Sequence, residues 1–147
     1  MARRRRHGSQ RDRILPLPLE LPGAVLTFPF GDDVNVYKVG VQAVSGPGGR
    51  HSAGKMFCLI GLYAEPGSMT LKVDPDRGIE LVREHPAISP GYHSNKRHWI
   101  TVELDGTVDD SLLRELVEDS YDLVVSTLTA RARFDVDPDR FPLPPRR

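Results

Sequence analysis

The chain has 147 residues, 39% hydrophobic and 27% charged, enough for one soluble globular domain with a modest core and too few for a second. Its formal net charge is zero, yet Leu19 to Leu143 holds 12 Lys/Arg against 19 Asp/Glu, so an acidic body is offset by basic ends. No apolar stretch approaches a membrane span, and Pro16, Pro18, Glu20 and Pro22 break up any apolar signal region behind the arginine-rich start, so a cytoplasmic location is expected.

Residues 1–13 are rich in arginine and lack an apolar period, which predicts a disordered basic tail ahead of a domain spanning 14–131. Ile14 to Pro22 is apolar enough to pack, but its prolines remove amide donors and allow at most a turn or two of helix. Phe28-Pro29-Phe30-Gly31-Asp32-Asp33 reads as a turn into Val34 to Val39, whose alternation predicts a half-buried strand. Lys55 to Tyr63 and Met69 to Val73 give two more strands, joined through Glu65-Pro66-Gly67. Short links favour an antiparallel meander. Between the first two strands, Val41 to Gly54 is polar and glycine-rich and is expected to extend the hairpin without packing.

Asp74-Pro75 predicts a helix start, since an Asp side chain accepts bonds from free amides and Pro fits the first turn. Ile79, Leu81 and Val82 supply its apolar face, and Pro86 ends it. Ile100 to Leu104 alternates as a fourth strand. From Asp109 or Asp110 to Leu128, the residues Leu112, Leu113, Leu116, Val117, Tyr121, Val124 and Leu128 recur at helical spacing and predict the face that closes the sheet. Beyond Arg133 the four prolines predict a loose C-terminal tail, 132–147.

Several chemistries are excluded or weakened by the residues present. Gly49 to Met56 comes within one residue of a phosphate-cradling loop, but Met56 lacks the hydroxyl that would hold magnesium, and a strand follows where the lysine should open a helix. Cys58, the only cysteine, permits no disulfide within the chain and sits in an apolar strand, as a buried structural thiol does. His93 and His98 have no third histidine nearby and no carboxylate before Glu103, so no metal site is expected. No nucleophile elbow or paired-carboxylate pattern occurs, and the expectation is a non-enzymatic protein without cofactor.

The densest chemistry lies in Pro90 to Trp99, where two histidines, an amide, two cations and two aromatics surround one turn at a strand entrance. In one reading, Tyr92 and Trp99 pack under the sheet as structural anchors while Asn95 closes the turn. In the other, Lys96 and Arg97 contact phosphate, His93 and Asn95 bond sugar or base edges, and aromatic surface stacks. The two are compatible. Lys38 to Trp99 has 8 basic and 5 acidic residues, against 1 and 8 in Glu103 to Asp122, so this turn lies in the positive part of an acidic domain.

Phe28-Pro29-Phe30-Gly31, Val36-Tyr37-Lys38-Val39-Gly40, Gly54-Lys55-Met56-Phe57, Leu71-Lys72, Pro90-Gly91-Tyr92-His93, Asn95 to Trp99 and Ser120 to Val124 together resemble the MmcQ/YjbR family, from about Leu21 to Leu128. The resemblance implies an α+β fold of the CyaY-like, double-wing kind, an antiparallel sheet of about four to five strands with helices packed on one face. It also implies DNA binding, a fold-level inference, through Lys38, Lys55, Lys72, His93, Asn95, Lys96, Arg97 and His98. The chain departs from the family pattern in the inserted Val41 to Ala53 and in a first helix interrupted by Pro16 and Pro18. The expectation is weak, salt-sensitive DNA binding by a monomer or weak dimer. The alternative is a module that binds a protein segment or small anion, and an enzyme with an unrecognised site is a remote third.

Overall fold

Six strands form one antiparallel sheet in the computed structural model, which describes residues 9–43, 51–91 and 95–145. The elements are α1 (Gln10–Ile14), a 3₁₀ turn (Leu17–Glu20), β1 (Val25–Thr27), β2 (Val34–Ala43), β3 (His51–Gly61), β4 (Ser68–Lys72), α2 (Pro75–Glu84), β5 (Ile88–Pro90), β6 (Trp99–Glu103), α3 (Asp110–Val125) and α4 (Ala130–Val136). The strand order is β1-β2-β3-β4-β6-β5. The α+β class and the helices on one face stand as expected, with two more strands than the sequence marked. β1 and β5 have three residues each, too few for alternation to show.

Alternation sorts the sheet into two faces. Met69 and Leu71 on β4, Ile100 and Val102 on β6, and Ile88 on β5 are buried on the helix side, against Leu113, Leu116, Val117 and Val124 of α3 and Leu81 of α2. One irregularity interrupts the pattern: Tyr37 pairs with Cys58 but Lys38 pairs with Met56, which leaves Phe57 as an extra residue. Phe57 and Cys58 are consequently both fully buried, although adjacent on a strand. The Phe57 ring meets Tyr121 edge to face, with centroids 5.4 Å apart. Its carbonyl accepts a bond of 2.6 Å from the Ser120 hydroxyl, which in turn accepts the Lys72 N–H at 2.9 Å. A serine on α3 thus bridges the point where β3 and β4 part.

Helix starts follow the sequence. The Asp74 carboxylate accepts from the amides of Asp76 and Arg77, with Pro75 in the first turn of α2. Arg77 then clamps α2 to α3 through Glu115 and Asp119. α3 begins at Asp110 as expected and ends at Val125, three residues before the predicted limit.

The two predicted tails are corrected. Residues 9–13 are ordered: Ser9 caps α1, Gln10 and Ile14 are buried, and Arg11 donates to the carbonyls of Gly61 and Ala64 and pairs with Glu65. Gly67, at φ +90°, lies where a Cβ would come within 2.7 Å of the Arg11 guanidinium, so a glycine there makes room for this docking. At the other end, α4 packs on β2, and Val136 and Phe141 join the edge of the core while Arg140 pairs with Asp122. The inserted segment extends the hairpin as expected, since β2 and β3 stay paired from Val41 opposite Ala53 to Ala43 opposite His51. Residues 1–8, 44–50, 92–94 and 146–147 lie outside the described part.

Candidate nucleic-acid interface

The helices leave the second face of the sheet free, although Val36 on its β2 strand is fully buried. Its rows follow from the register: Val36, Leu59, Thr70, Thr101 and Ser89 are successive partners across five strands, and Lys38 pairs with Met56 between β2 and β3 as Lys72 pairs with Trp99 between β4 and β6. Alternation therefore puts Lys38, Met56, Lys72 and Trp99 on this face at one end, with Glu103 and Ser68 paired at the other. A cavity of about 780 Å³ is lined by Phe30, Met56, Leu59, Thr70, Thr101 and Glu103 among others. Its floor is apolar, its walls carry hydroxyls, and Glu103 is the charged residue in its lining, while Lys38, Lys72 and Trp99 stand on the same face beyond it.

Ion pairing separates the two faces further. On the helix layer most arginines meet acids: Arg13 with Asp110, Arg77 with Glu115 and Asp119, Arg114 with Glu20, Arg140 with Asp122, whereas Arg83 and Arg133 take no part in the ion pairs found among the described residues. Lys38, Lys72, Lys96 and Arg97 take no part in the ion pairs found among the described residues. The remaining exposed acids of α2 and α3, Asp76, Glu80, Glu84 and Glu118, also stand on the helix layer. An approaching anion is repelled from the acidic outer surfaces of α2 and α3 and attracted to the free cations.

The residues singled out in the sequence divide into three groups. Lys38 and Lys72 share the open face, and Trp99 lies beside them, half-buried there rather than packed under the helices. Gly91 permits this placement: its N–H donates to the Trp99 carbonyl at 2.8 Å, and a Cβ at Gly91 would come within 2.8 Å of the Trp99 Cβ. Lys55 is set apart, because the register puts it beside Val39 on the helix side, where its Nζ lies 3.0 Å from Thr127 Oγ1 and 3.4 Å from the Thr127 carbonyl. It caps the C-terminal end of α3 instead of facing the open surface.

The third group is the turn. Asn95 closes it as expected, its side-chain oxygen accepting the Arg97 N–H at 3.0 Å while its carbonyl accepts the His98 N–H at 3.0 Å. The His98 carbonyl then accepts the Val73 N–H at 2.8 Å, which pins the turn to the end of β4. Lys96 and Arg97 are exposed and reach toward α2, while His98 is half-buried. Tyr92 and His93 lie outside the described residues.

Cys58 is fully buried, and burial pushes its thiol pKa up, which keeps it protonated and inert. No grouping of three or more His, Cys, Asp or Glu side chains suited to a metal occurs among the described residues. No helix among them is long and apolar enough to cross a membrane. Met56, Leu59, Thr70 and Thr101, which floor and wall the open face, escaped the sequence reading. The period-two pattern Ser68-x-Thr70-x-Lys72 and Trp99-x-Thr101-x-Glu103 was a signal for Thr70 and Thr101, whereas the register shift at Phe57 hides Met56 and Leu59.

The family model described as YjbR matches residues 19–123 of the chain. The uncharacterized protein YbdF of Escherichia coli O157:H7 is 37% identical over 122 residues, which cover 83% of this chain and 89% of that one. The uncharacterized protein YjbR of Escherichia coli K12 is 33% identical over 78 residues, 53% of this chain and 66% of that one. The crystal structure of Deinococcus radiodurans protein DR2400 superposes with a TM-score of 0.73 at 42% identity, covering 85% of this chain and 86% of that one.

Proposed function

The chain belongs to the YjbR family, and from that premise we propose that it is a non-enzymatic, cytoplasmic DNA-binding module whose helix-free sheet face holds a short single-stranded segment. The observation that carries this reading is the division of charge: paired arginines and free acids on the helix layer, unpaired Lys38 and Lys72 beside Trp99 on the open face. Lys38 and Lys72 contact phosphates, Trp99 offers a ring to a base, and Thr70 and Thr101 bond sugar or base edges. Lys96 and Arg97 add attraction from the adjoining turn. An apolar floor suits unstacked bases better than the rigid backbone of a duplex. With about two to four phosphates neutralised, log K against log salt should have a slope of roughly −1.5 to −3, so binding is modest and easily lost in salt.

Titration of a labelled single-stranded oligonucleotide at two salt concentrations tests this. Lys38→Ala/Lys72→Ala should weaken binding by about tenfold or more and flatten the salt slope, with Lys96→Ala/Arg97→Ala having a smaller effect. If both double variants bind as the parent does while removal of residues 1–8 abolishes binding, the sheet face is not the reader. Phe30, 64% exposed at the rim of the cavity, favours a second reading in which the face holds an apolar protein segment. That reading calls for a partner whose binding is indifferent to salt.

A further inference from the structure

On the opposite side of the sheet, α2 and the turn at residues 95–98 enclose a second cavity, of about 270 Å³. Val73 and Ile100 form its floor, Val82 and Pro90 its sides, and Ile79 its outer edge. The helix can stand this close because Gly78 has no side chain: a Cβ there would be 3.0 Å from Val73 Cγ1. Ile79 is 59% exposed at the mouth, an apolar side chain left facing water on a helix whose other outward residues are charged.

The charged groups that line this cavity, Lys96, Arg97 and Asp76, are all exposed and sum to a local charge of +1. Neither cation forms an ion pair among the described residues, and the Arg97 backbone is fixed by Asn95, so the guanidinium is presented from a closed turn. The Asp74 side chain is already engaged with the first-turn amides of α2 and does not compete for the cations. An apolar bag with two unpaired cations at its lip matches a ligand with an alkyl body and an anionic head.

We propose that this cavity is a binding site for a small amphipathic carboxylate, whose alkyl chain lies on Val73, Val82 and Ile100 and whose carboxylate meets Lys96 and Arg97. At about 30 Å³ for each water-sized group, the cavity takes roughly nine heavy atoms, close to an eight-carbon acid with its head at the mouth. Arg97 supplies the planar donor pair that a carboxylate accepts, and Lys96 a second charge. The site lies on the helix side and shares none of Lys38, Lys72 or Trp99 with the open face.

Calorimetric titration of the full chain with octanoate, 1-octanol and acetate tests the assignment. Octanoate should saturate a single site, octanol should bind about tenfold or more weakly, and acetate should show no saturable binding. Lys96→Ala/Arg97→Ala should bring octanoate down to the octanol level, and Ile79→Glu, an exposed helix position that spares the fold, should weaken octanoate by a similar factor. Lys38→Ala/Lys72→Ala should leave octanoate binding intact, so failure of the DNA reading and failure of this one are separable. The proposal is overturned if octanoate does not saturate, if acetate binds as well as octanoate, or if neither mouth variant changes octanoate affinity.

Discussion

Ser120 shows how much one small side chain settles. It is fully buried on α3, donates to the Phe57 carbonyl and accepts the Lys72 N–H, so it bonds two backbone groups just past the end of the β3–β4 pairing. Ser120→Ala should cost about 1–3 kcal/mol in urea unfolding, because both backbone groups stay buried and unpaired. A loss below a few tenths would mean that water replaces the hydroxyl. Tyr121 and Val124 are marked by helical spacing, whereas Ser120 is marked only by the family resemblance. Its chemical reason was hidden, since a serine in a helix carries no sign that its hydroxyl bridges two strands 48 and 63 residues away. Lys55 is the converse case: the sequence offered a strand lysine, and only the register shows it turned toward Thr127.

At the scale of elements, the long amphipathic α3 and the alternating β2, β4 and β6 were legible because each repeats its pattern several times. α1 and α4 were not. α1 has five residues, and its stability comes from partners far along the chain: the Gln10 amide donates to the Val108 carbonyl (2.6 Å) and to Asp110 (2.9 Å), and its oxygen accepts the Gly106 N–H (3.0 Å). Composition reported only an arginine-rich start. Gln10→Ala should therefore destabilise the whole domain by about 1–3 kcal/mol and expose the Arg11 to Arg13 peptide to trypsin. Unchanged stability and protection would show that α1 rides on the domain without supporting it. The same contact has a pH signature. Hydrogen bonds from Arg13 and then Gln10 hold the Asp110 carboxyl below its ordinary 3.8. Its folded-state pKa is depressed, so its contribution is present above the ordinary carboxylate range and lost as pH falls through the lower folded value. Arg13→Ala should shrink that acid-side loss slightly, as suits a largely exposed pair.

The whole molecule is a sheet with two unlike sides. The helix side holds the core and the arginine–acid pairs, and its two buried phenols set an alkaline limit. Tyr37 and Tyr121 are both raised from 10.0 to about 12, chiefly by burial, with the Asn35 hydrogen bond opposing the rise at Tyr37. A raised folded-state pKa means that this contribution is whole below pH 10 and disappears as pH climbs through about 12. Melting temperature should fall between those values, and Tyr121→Phe should fall less steeply; an identical decline would assign the limit to other groups. The other side is the open face. The strand lysines and Trp99 were visible in the sequence, but their grouping was not, because it depends on which strands pair and in what register. Trp99 is the only tryptophan in the chain, so its fluorescence reports on this face alone. The decisive measurement is titration of the full chain with a single-stranded oligonucleotide at low salt while following that fluorescence. The account predicts saturable quenching that is reversed by salt and abolished by Lys38→Ala/Lys72→Ala. Oligonucleotide binding, established by anisotropy of a labelled strand, with no change in Trp99 emission would contradict it.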